Sequence, residues 1–401
     1  MERQGWPKEP VPQVRVYKWD SADRIISVVQ NDNFGEREEE LRYDACGNLF
    51  DRKSCTANQL EEYKGIQYRY DEFGRLSRKW NSSQEQRFEY DADSRLVRVE
   101  NVRGTLYTQV EMEYDLLGRR TVKRAHHRWT NAVEETRFGW AGLRLYSEKQ
   151  PDCPEVLFSY EENSYAPLAR VVGRGDAARV QWFRNGLNGN PEALTDANGT
   201  VKWRQHWPSL WGRSGNEALT DGQGVMQNLR FQGQYLDRET VLHYNLFRYY
   251  DPDCGRFTQP DPLGLLGGDN SYGYVHNPLS WIDPLGLIKV RHYTSDDGLA
   301  GIEKSQSINI ARGTPSGVHV EVEPFGDSRT AAKEMGAASW KNRSYVEFDV
   351  SENSLVKTNV GPRNTAIVPT DGTSLSLRER NPVFKRESLW SKIMSWFSGC
   401  P

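Results

Sequence analysis

Tyr70-Asp71-Glu72-Phe73-Gly74-Arg75-Leu76 is the stretch on which the fold turns, because it recurs. Tyr43-Asp44-Ala45-Cys46-Gly47-Asn48-Leu49 precedes it, and Tyr90-Asp91-Ala92-Asp93-Ser94-Arg95-Leu96 and Tyr114-Asp115-Leu116-Leu117-Gly118-Arg119-Arg120 follow. A weaker copy opens the series at Trp19-Asp20 with Arg24-Ile25. The Tyr positions step by 27, 20 and 24 residues, the period of a repeated supersecondary unit. Each copy reads as strand, turn, strand. An alternating run such as Gln67-Tyr68-Arg69-Tyr70 enters the turn through an Asp whose side chain can bond its own backbone; a Gly then supplies positive φ. One hairpin cannot bury its own face, so the units are expected to pair edge to edge into a long sheet.

Composition agrees with many short strands. The 401 residues are 37% hydrophobic, with 19 Tyr, 13 Trp and 34 Gly, which suits aromatic cross-strand pairs and tight turns better than a helical bundle. A net charge of −3 makes the whole chain neither a nucleic-acid-binding polycation nor an acidic solubiliser. No run of eighteen apolar residues occurs, so no membrane span is expected, and Met1-Glu2-Arg3-Gln4-Gly5-Trp6 lacks a hydrophobic signal core. The expectation is a cytoplasmic protein in the producing cell, exported by machinery that reads something outside these residues. Five scattered cysteines (Cys46, Cys55, Cys153, Cys254, Cys400) without CxxC spacing imply neither a disulfide framework nor a metal site.

The repeats resemble the YD repeats of Rhs proteins and of the TcC subunits of insecticidal toxin complexes. The resemblance continues through Leu194-Thr195-Asp196-Ala197-Asn198-Gly199 and Leu219-Thr220-Asp221-Gly222-Gln223-Gly224. It is dense at Arg230-Phe231-Gln232-Gly233-Gln234-Tyr235 and His243-Tyr244-Asn245-Leu246-Phe247-Arg248-Tyr249-Tyr250-Asp251-Pro252, and it covers roughly residues 12–287. It implies a mostly β YD-repeat shell over 12–247, here a partial cocoon because about 280 residues cannot close around a domain of over a hundred. Earlier repeats and N-terminal targeting parts are expected to be missing.

Residues 260–287 hold Pro260-Asp261-Pro262-Leu263-Gly264-Leu265 and Asp283-Pro284-Leu285-Gly286-Leu287, two Asp-Pro-Leu-Gly-Leu copies 22 residues apart. Such a motif can simply make tight turns, since Pro fixes φ and Gly admits the left-handed region. Two carboxylates brought together inside a shell would repel, and one would hold a proton, the acid–base pair with which an aspartyl protease activates water. The block, 248–287, resembles the intramolecular aspartyl protease of Rhs and TcC proteins. Carried over by position, Asp261 and Asp283 are the catalytic pair, Arg248 is the supporting cation, and the scissile bond is Leu287–Ile288.

After Leu287 the repeats stop. Residues 288–401 carry 15 Lys and Arg against 13 Asp and Glu. A strand at Lys289-Val290-Arg291-His292-Tyr293-Thr294 leads through Ser295, a good N-cap, into a helix whose Leu299 and Ile302 share one face. Strands are expected at 308–310, over the period-two run Ser316–Glu323, and at 344–350, 365–369 and 374–377, with a helix over 328–340. A short amphipathic helix is expected at the tail, from Ser388 to Phe397. The order His-Tyr-Thr-Ser, Gly-Leu-x-Gly-Ile, Gly-Val-x-Val resembles ADP-ribosyltransferase toxins with a His-Tyr-acid signature, relatives of the diphtheria toxin and poly(ADP-ribose) polymerase fold.

That resemblance implies a small α+β domain using NAD as substrate and no metal. His292, flanked by Tyr293 and Thr294, would hydrogen-bond the adenosine ribose, and His319 stands where relatives carry the Tyr that stacks on nicotinamide. The acid position falls on Thr365, which cannot act as a carboxylate, leaving Asp349 and Asp371 as candidate acids. The expected whole is a Rhs-type toxin that cuts itself and releases an ADP-ribosyltransferase acting on a translation factor or structured RNA of a competing cell. Its expected partners are a cognate immunity protein and secretion-apparatus components, type VI above all. The alternative is an inactive remnant that only binds the immunity protein.

Overall fold

The computed structural model describes residues 14–22, 24–32, 35–52, 55–161, 164–219, 225–261, 270–286, 289–294, 296–309, 317–322, 344–349, 356–357, 365–369, 374–377 and 383–385. The expected helices over 328–340 and 388–397 lie outside these residues.

Three strands, β1 (Val14–Trp19), β2 (Ile25–Asp32) and β3 (Gly35–Glu40), form an antiparallel sheet. The strands from β4 (Glu62–Tyr63) to β18 (Asn216–Leu219) form one fifteen-stranded sheet in strict sequence order. Each neighbour in that sheet follows its predecessor in the chain, as expected of hairpin units that must borrow a partner's edge.

The repeat motif explains how hairpins are made and joined. Asp71 Oδ1 accepts from the backbone N–H groups of Phe73 (3.0 Å) and Arg75 (2.8 Å), and Gly74 takes φ +78° at the turn. Asp91 and Asp115 do the same for their own turns. Ser94 stands where the other copies have Gly and still adopts φ +61°. The Arg four residues on locks the turn, with Arg75 Nε donating to Asp71 Oδ2 at 2.8 Å. Its guanidinium then lies 4.9 Å from the ring centre of Tyr90, the Tyr of the next repeat, whose hydroxyl donates to Leu76 O at 3.0 Å. Arg95 and Tyr114 repeat that contact, with Tyr114 bonding Leu96 O. Tyr and Arg therefore couple one unit to the next.

Residues 225–286 hold a four-stranded antiparallel sheet of β19 (Tyr235–Asp237), β20 (Leu242–Asn245), β21 (Arg248–Asp251) and β22 (Arg256–Phe257). All thirteen residues of these strands are buried. Residues on both sides of position 247 thus share one sheet. The repeat strands fasten it with buried charge. Lys79 Nζ reaches Asp251 (2.7 Å) and Asp253 (2.8 Å), Arg120 grips Asp237 through both terminal nitrogens (2.5 and 3.0 Å), and Lys123 Nζ meets Glu239 at 2.7 Å. Arg170 donates to Val225 O at 2.7 Å. Burial pushes the Asp237 carboxyl up, but Arg120 and Lys123 outweigh it and hold it below its usual range.

The C-terminal part contains a six-stranded sheet in the order β27-β28-β25-β23-β26-β30. Its members are β23 (Lys289–Thr294), β25 (Gly317–Val322), β26 (Ser344–Asp349), β27 (Val356–Lys357), β28 (Thr365–Pro369) and β30 (Val383–Lys385). Helix α1 (Asp296–Ser305) buries Leu299 and Ile302, and β24 (Ser307–Asn309) pairs with β29 (Ser374–Ser376). The described elements are mostly strand.

Candidate active site

The hairpin of β20 and β21 builds the site. Its register sets Asn245 opposite Arg248 across a two-residue turn in which Leu246 adopts φ +54°. Arg248 is 2% exposed, and its Cζ sits 3.6 Å from the ring centre of Phe257 on β22. A guanidinium so withdrawn from water needs anions and carbonyls. Nη2 lies 2.9 Å from Asp261 Oδ2 and 3.4 Å from Asp283 Oδ2, while Nε donates to Gly286 O at 2.6 Å. The three residues that the motif singled out, 35 positions apart at their extremes, therefore meet at one nitrogen. Asp261 and Asp283 are 6% and 5% exposed, so the pair is shut off from bulk water.

The segment after Asp283 runs through the site as a held turn. Asn245 Nδ2 donates to Asp283 O at 2.8 Å, Phe247 N–H to Leu285 O at 3.2 Å, and Arg248 Nε to Gly286 O. Leu285 is buried with Tyr165 and Leu246. On the other side Gly233, at φ +86°, comes so close that a Cβ there would lie 2.1 Å from Pro284 O. Asp261 is pinned by its own N–H, which donates to Ser271 O. Tyr274 packs nearby, its phenol pushed well above the usual range by burial and then by the Asp283 charge. Leu287 and Ile288 lie outside the described residues.

Two carboxylates sharing one cation in a dry pocket, next to a peptide segment tethered through three of its carbonyls, can activate a water against a bond of that segment. Asn245 and Gly233 are the residues that sequence reasoning passed over. Both stand in motifs quoted for their resemblance, but only the folded chain shows what they touch.

In the C-terminal sheet, β23 pairs with β26 along its whole length, from Lys289↔Asp349 to Thr294↔Ser344. Its pairing with β25 is confined to Val290↔Val322 and Arg291↔Glu321. Past these pairs, among the described residues, the ladder between β23 and β25 ends, leaving His292–Thr294 on one lip and Gly317–Val320 on the other. Asp349 is in register with Lys289, at the closed end and about 10 Å along the strand from the His292 position. Thr365 pairs with Glu321, also at the closed end, and Asp371 lies outside the described residues.

Residues 12–132 match the Teneurin YD-shell family. The chain is 37% identical over 299 residues to double-stranded DNA deaminase toxin A of Burkholderia cenocepacia (strain H111), a match covering 68% of this chain and 20% of that protein. It is 33% identical over 247 residues to the probable deoxyribonuclease RhsA of Dickeya dadantii (strain 3937), covering 58% of this chain and 16% of that protein. It is 34% identical over 264 residues to toxin protein Tse5 of Pseudomonas aeruginosa PAO1, covering 58% of this chain and 19% of that protein. The chain thus spans a fifth or less of these relatives' length. Among solved structures, the TcdB2-TccC3-Cdc42 complex superposes with a TM-score of 0.47 at 17% identity, covering 69% of this chain and 17% of that one. The sequence matches support a Rhs-type polymorphic toxin.

Proposed function

We propose that this chain is the C-terminal portion of a Rhs-type toxin in which Asp261, Asp283 and Arg248 hydrolyse the Leu287–Ile288 bond and free residues 288–401. The observation that carries the reading is the buried contact of both carboxylates with Arg248 Nη2, beside the tethered 283–286 segment. One carboxylate takes a proton from water, whose oxygen adds to the Leu287 carbonyl carbon. The other donates a proton to the departing Ile288 nitrogen, and Arg248 limits the repulsion between the two. The test is mass spectrometry of purified full chain: wild type should yield a fragment beginning at Ile288, and Asp283→Asn should stay intact. An intact wild-type chain would overturn the reading.

For residues 288–401 the proposal is an ADP-ribosyltransferase that takes NAD as substrate, breaking its bond to nicotinamide and joining ADP-ribose to a macromolecule of a recipient cell. Support comes from the parting of β23 and β25, which falls between the His292–Thr294 and His319 positions and offers backbone groups of two strand edges to a planar amide. Asp349, in register with Lys289, and Asp371 are the candidate acids. NAD consumption by the full chain, compared with His292→Ala, Asp349→Asn and Asp371→Asn, tests this. Loss of about a hundredfold is expected for His292→Ala and for one of Asp349→Asn and Asp371→Asn, with little change for the other.

A second reading is favoured by Thr365 at the acid position and His319 at the tyrosine position: a cargo that only binds its immunity protein. It wins if no NAD is consumed. The relatives named as deaminase and deoxyribonuclease add a third outcome, nucleic-acid damage without NAD consumption. Under the first reading, a cognate immunity protein protects the producer and a type VI apparatus delivers the toxin.

A further inference from the structure

Lys79 carries an amine into the core. It lies on β6 (Leu76–Trp80) of the fifteen-stranded sheet, is buried, and has its Nζ 6.0 Å from the ring centre of Tyr68. Facing it is Asp251 at the end of β21, buried as well, with Asp253 two residues on. Nζ lies 2.9 Å from Asp251 Oδ1, 2.7 Å from Asp251 Oδ2 and 2.8 Å from Asp253 Oδ2. Asp251 Oδ1 also accepts from the Asp253 N–H at 3.0 Å, whereas Asp251 Oδ2 is buried without an aligned donor. An amine nitrogen this close to both oxygens stands roughly 3 Å from the carbon between them, the separation of a near-attack geometry.

The two carboxyls are in different states. Burial pushes Asp251 up, further than Lys79 brings it back. Burial acts on Asp253 in the same sense, but Lys79 and Arg213, whose Nε is 3.0 Å from Oδ1, hold it below its usual range. Asp251 is thus the protonated acid and Asp253 the ionised one. Burial also works against the charge on Lys79, though Asp251 and Asp253 outweigh it and hold the group above its usual range. The other buried lysine of the repeat sheet makes a useful contrast. Lys123 Nζ is 3.2 Å from Asp237 Oδ1 and 2.7 Å from Glu239 Oε2, but Arg120 grips both oxygens of Asp237 and keeps it a carboxylate, which amines do not attack.

We propose that Lys79 and Asp251 condense into an isopeptide bond, with Asp253 as the base, so that the repeat sheet and the buried four-stranded sheet become covalently joined. Asp253 takes a proton from the Lys79 ammonium. Nζ then adds to Asp251 Cγ, where charge developing on Oδ1 meets the Asp253 N–H. The bond from Cγ to Oδ2 breaks, and that oxygen leaves as water with a proton that the nitrogen gives up. An amide remains and Asp253 keeps the first proton, so atoms and charge balance without oxidant, metal or cofactor. Burial favours this product, because a desolvated ion pair becomes a neutral amide. The bond is independent of the reading of Asp261 and Asp283.

The test is mass spectrometry of the purified, denatured full chain after overnight incubation, read on whichever polypeptide holds residues 79 and 251. Wild type should be lighter than its sequence by one water, about 18 Da. Trypsin, blocked at the linked lysine, should release Lys79–Arg87 joined to Tyr249–Arg256 as one branched peptide whose fragmentation places the link on Asp251. Lys79→Arg keeps the charge but has no amine to condense, and should show its full sequence mass. Asp253→Asn removes the base and should also stay unlinked. A wild-type chain of full mass, or a lost water without that branched peptide, would overturn the proposal. So would a link through Asp253, or an Asp253→Asn chain that links as readily as wild type. The wild-type peptide decides the matter even if a variant fails to fold.

Discussion

Replacing Gly233 by Ala asks whether the close approach of Gly233 to Pro284 sets the geometry of cleavage. The added Cβ would meet Pro284 O at 2.1 Å and Pro284 Cα at 2.5 Å, where an unstrained carbon–oxygen contact is about 3.3 Å. Something must therefore move by about 1 Å. Pro284 lies between Asp283, held by Asn245 and Arg248, and Leu285, held by Phe247, so the shift passes directly to the carboxylate and to the scissile segment. A displacement of about 1 Å in a reacting geometry slows a reaction on the order of a hundredfold. Positive φ adds a separate loss, roughly 1–2 kcal/mol of fold stability for any residue with a Cβ. Gly199→Ala separates the two, because Gly199 has φ +77° and open space around its Cβ direction. In urea titrations of the uncleaved chain, with Asp283→Asn as common background, Gly199→Ala should show the φ loss alone and Gly233→Ala that loss plus the clash with Pro284. Only Gly233→Ala, in the cleavable background, should slow the appearance of the Ile288 fragment in a mass-spectrometric time course. Equal cleavage rates for the two would refute the argument.

Three further outcomes are expected. Arg120→Met leaves the buried Asp237 with Lys123 alone, at 3.2 Å, and should lower stability by about 3 kcal/mol; the double variant Arg120→Met/Asp237→Leu should recover part of that, measured by urea midpoints. Ser94→Gly relieves a non-glycine residue at φ +61° but gives up a 3.3 Å bond from Arg75, for a net gain of about 0.5 kcal/mol in the same assay. Burial, then the Arg230 charge, pushes the His243 imidazole well below its usual range, so it stays neutral in the fold while the unfolded chain takes up a proton near pH 6.5. Its stability contribution is therefore complete above that pH and is lost on acidification, by up to about 1.4 kcal/mol per pH unit. His243→Gln should show a smaller fall in stability between pH 7.5 and 5.5 than wild type, and an identical fall would refute the assignment.

The repeat is where sequence and structure coincide. Tyr, Asp, Gly and Arg act within one hairpin or between adjacent ones, so a short window contains nearly every partner they have; the turns at Asp71, Asp91 and Asp115 were legible for that reason. Even there the coupling of Arg75 to Tyr90 needed the sheet, since it joins residues of successive units. The paired Asp261 and Asp283 were legible as a repeated motif, and in the C-terminal part the strand at 289–294 and the buried pair Leu299 and Ile302 followed from local alternation and helical spacing.

What the tertiary structure alone decided is which distant residues share a buried space. Lys79 and Asp251 are 172 residues apart, Arg120 and Asp237 are 117, and nothing local marks any of them as a partner. A charged residue on a strand reads as solvent-facing until another layer covers it, and that covering layer, residues 225–286, arrives late in the chain. Asn245 and Gly233 belong to the same category. Each has an ordinary place in its own hairpin or turn, and acquires its role only because the 283–286 segment is threaded between them. Local chemistry wrote the strands and turns into the sequence; the site depended on loop closure over tens to hundreds of residues, which no local pattern encodes.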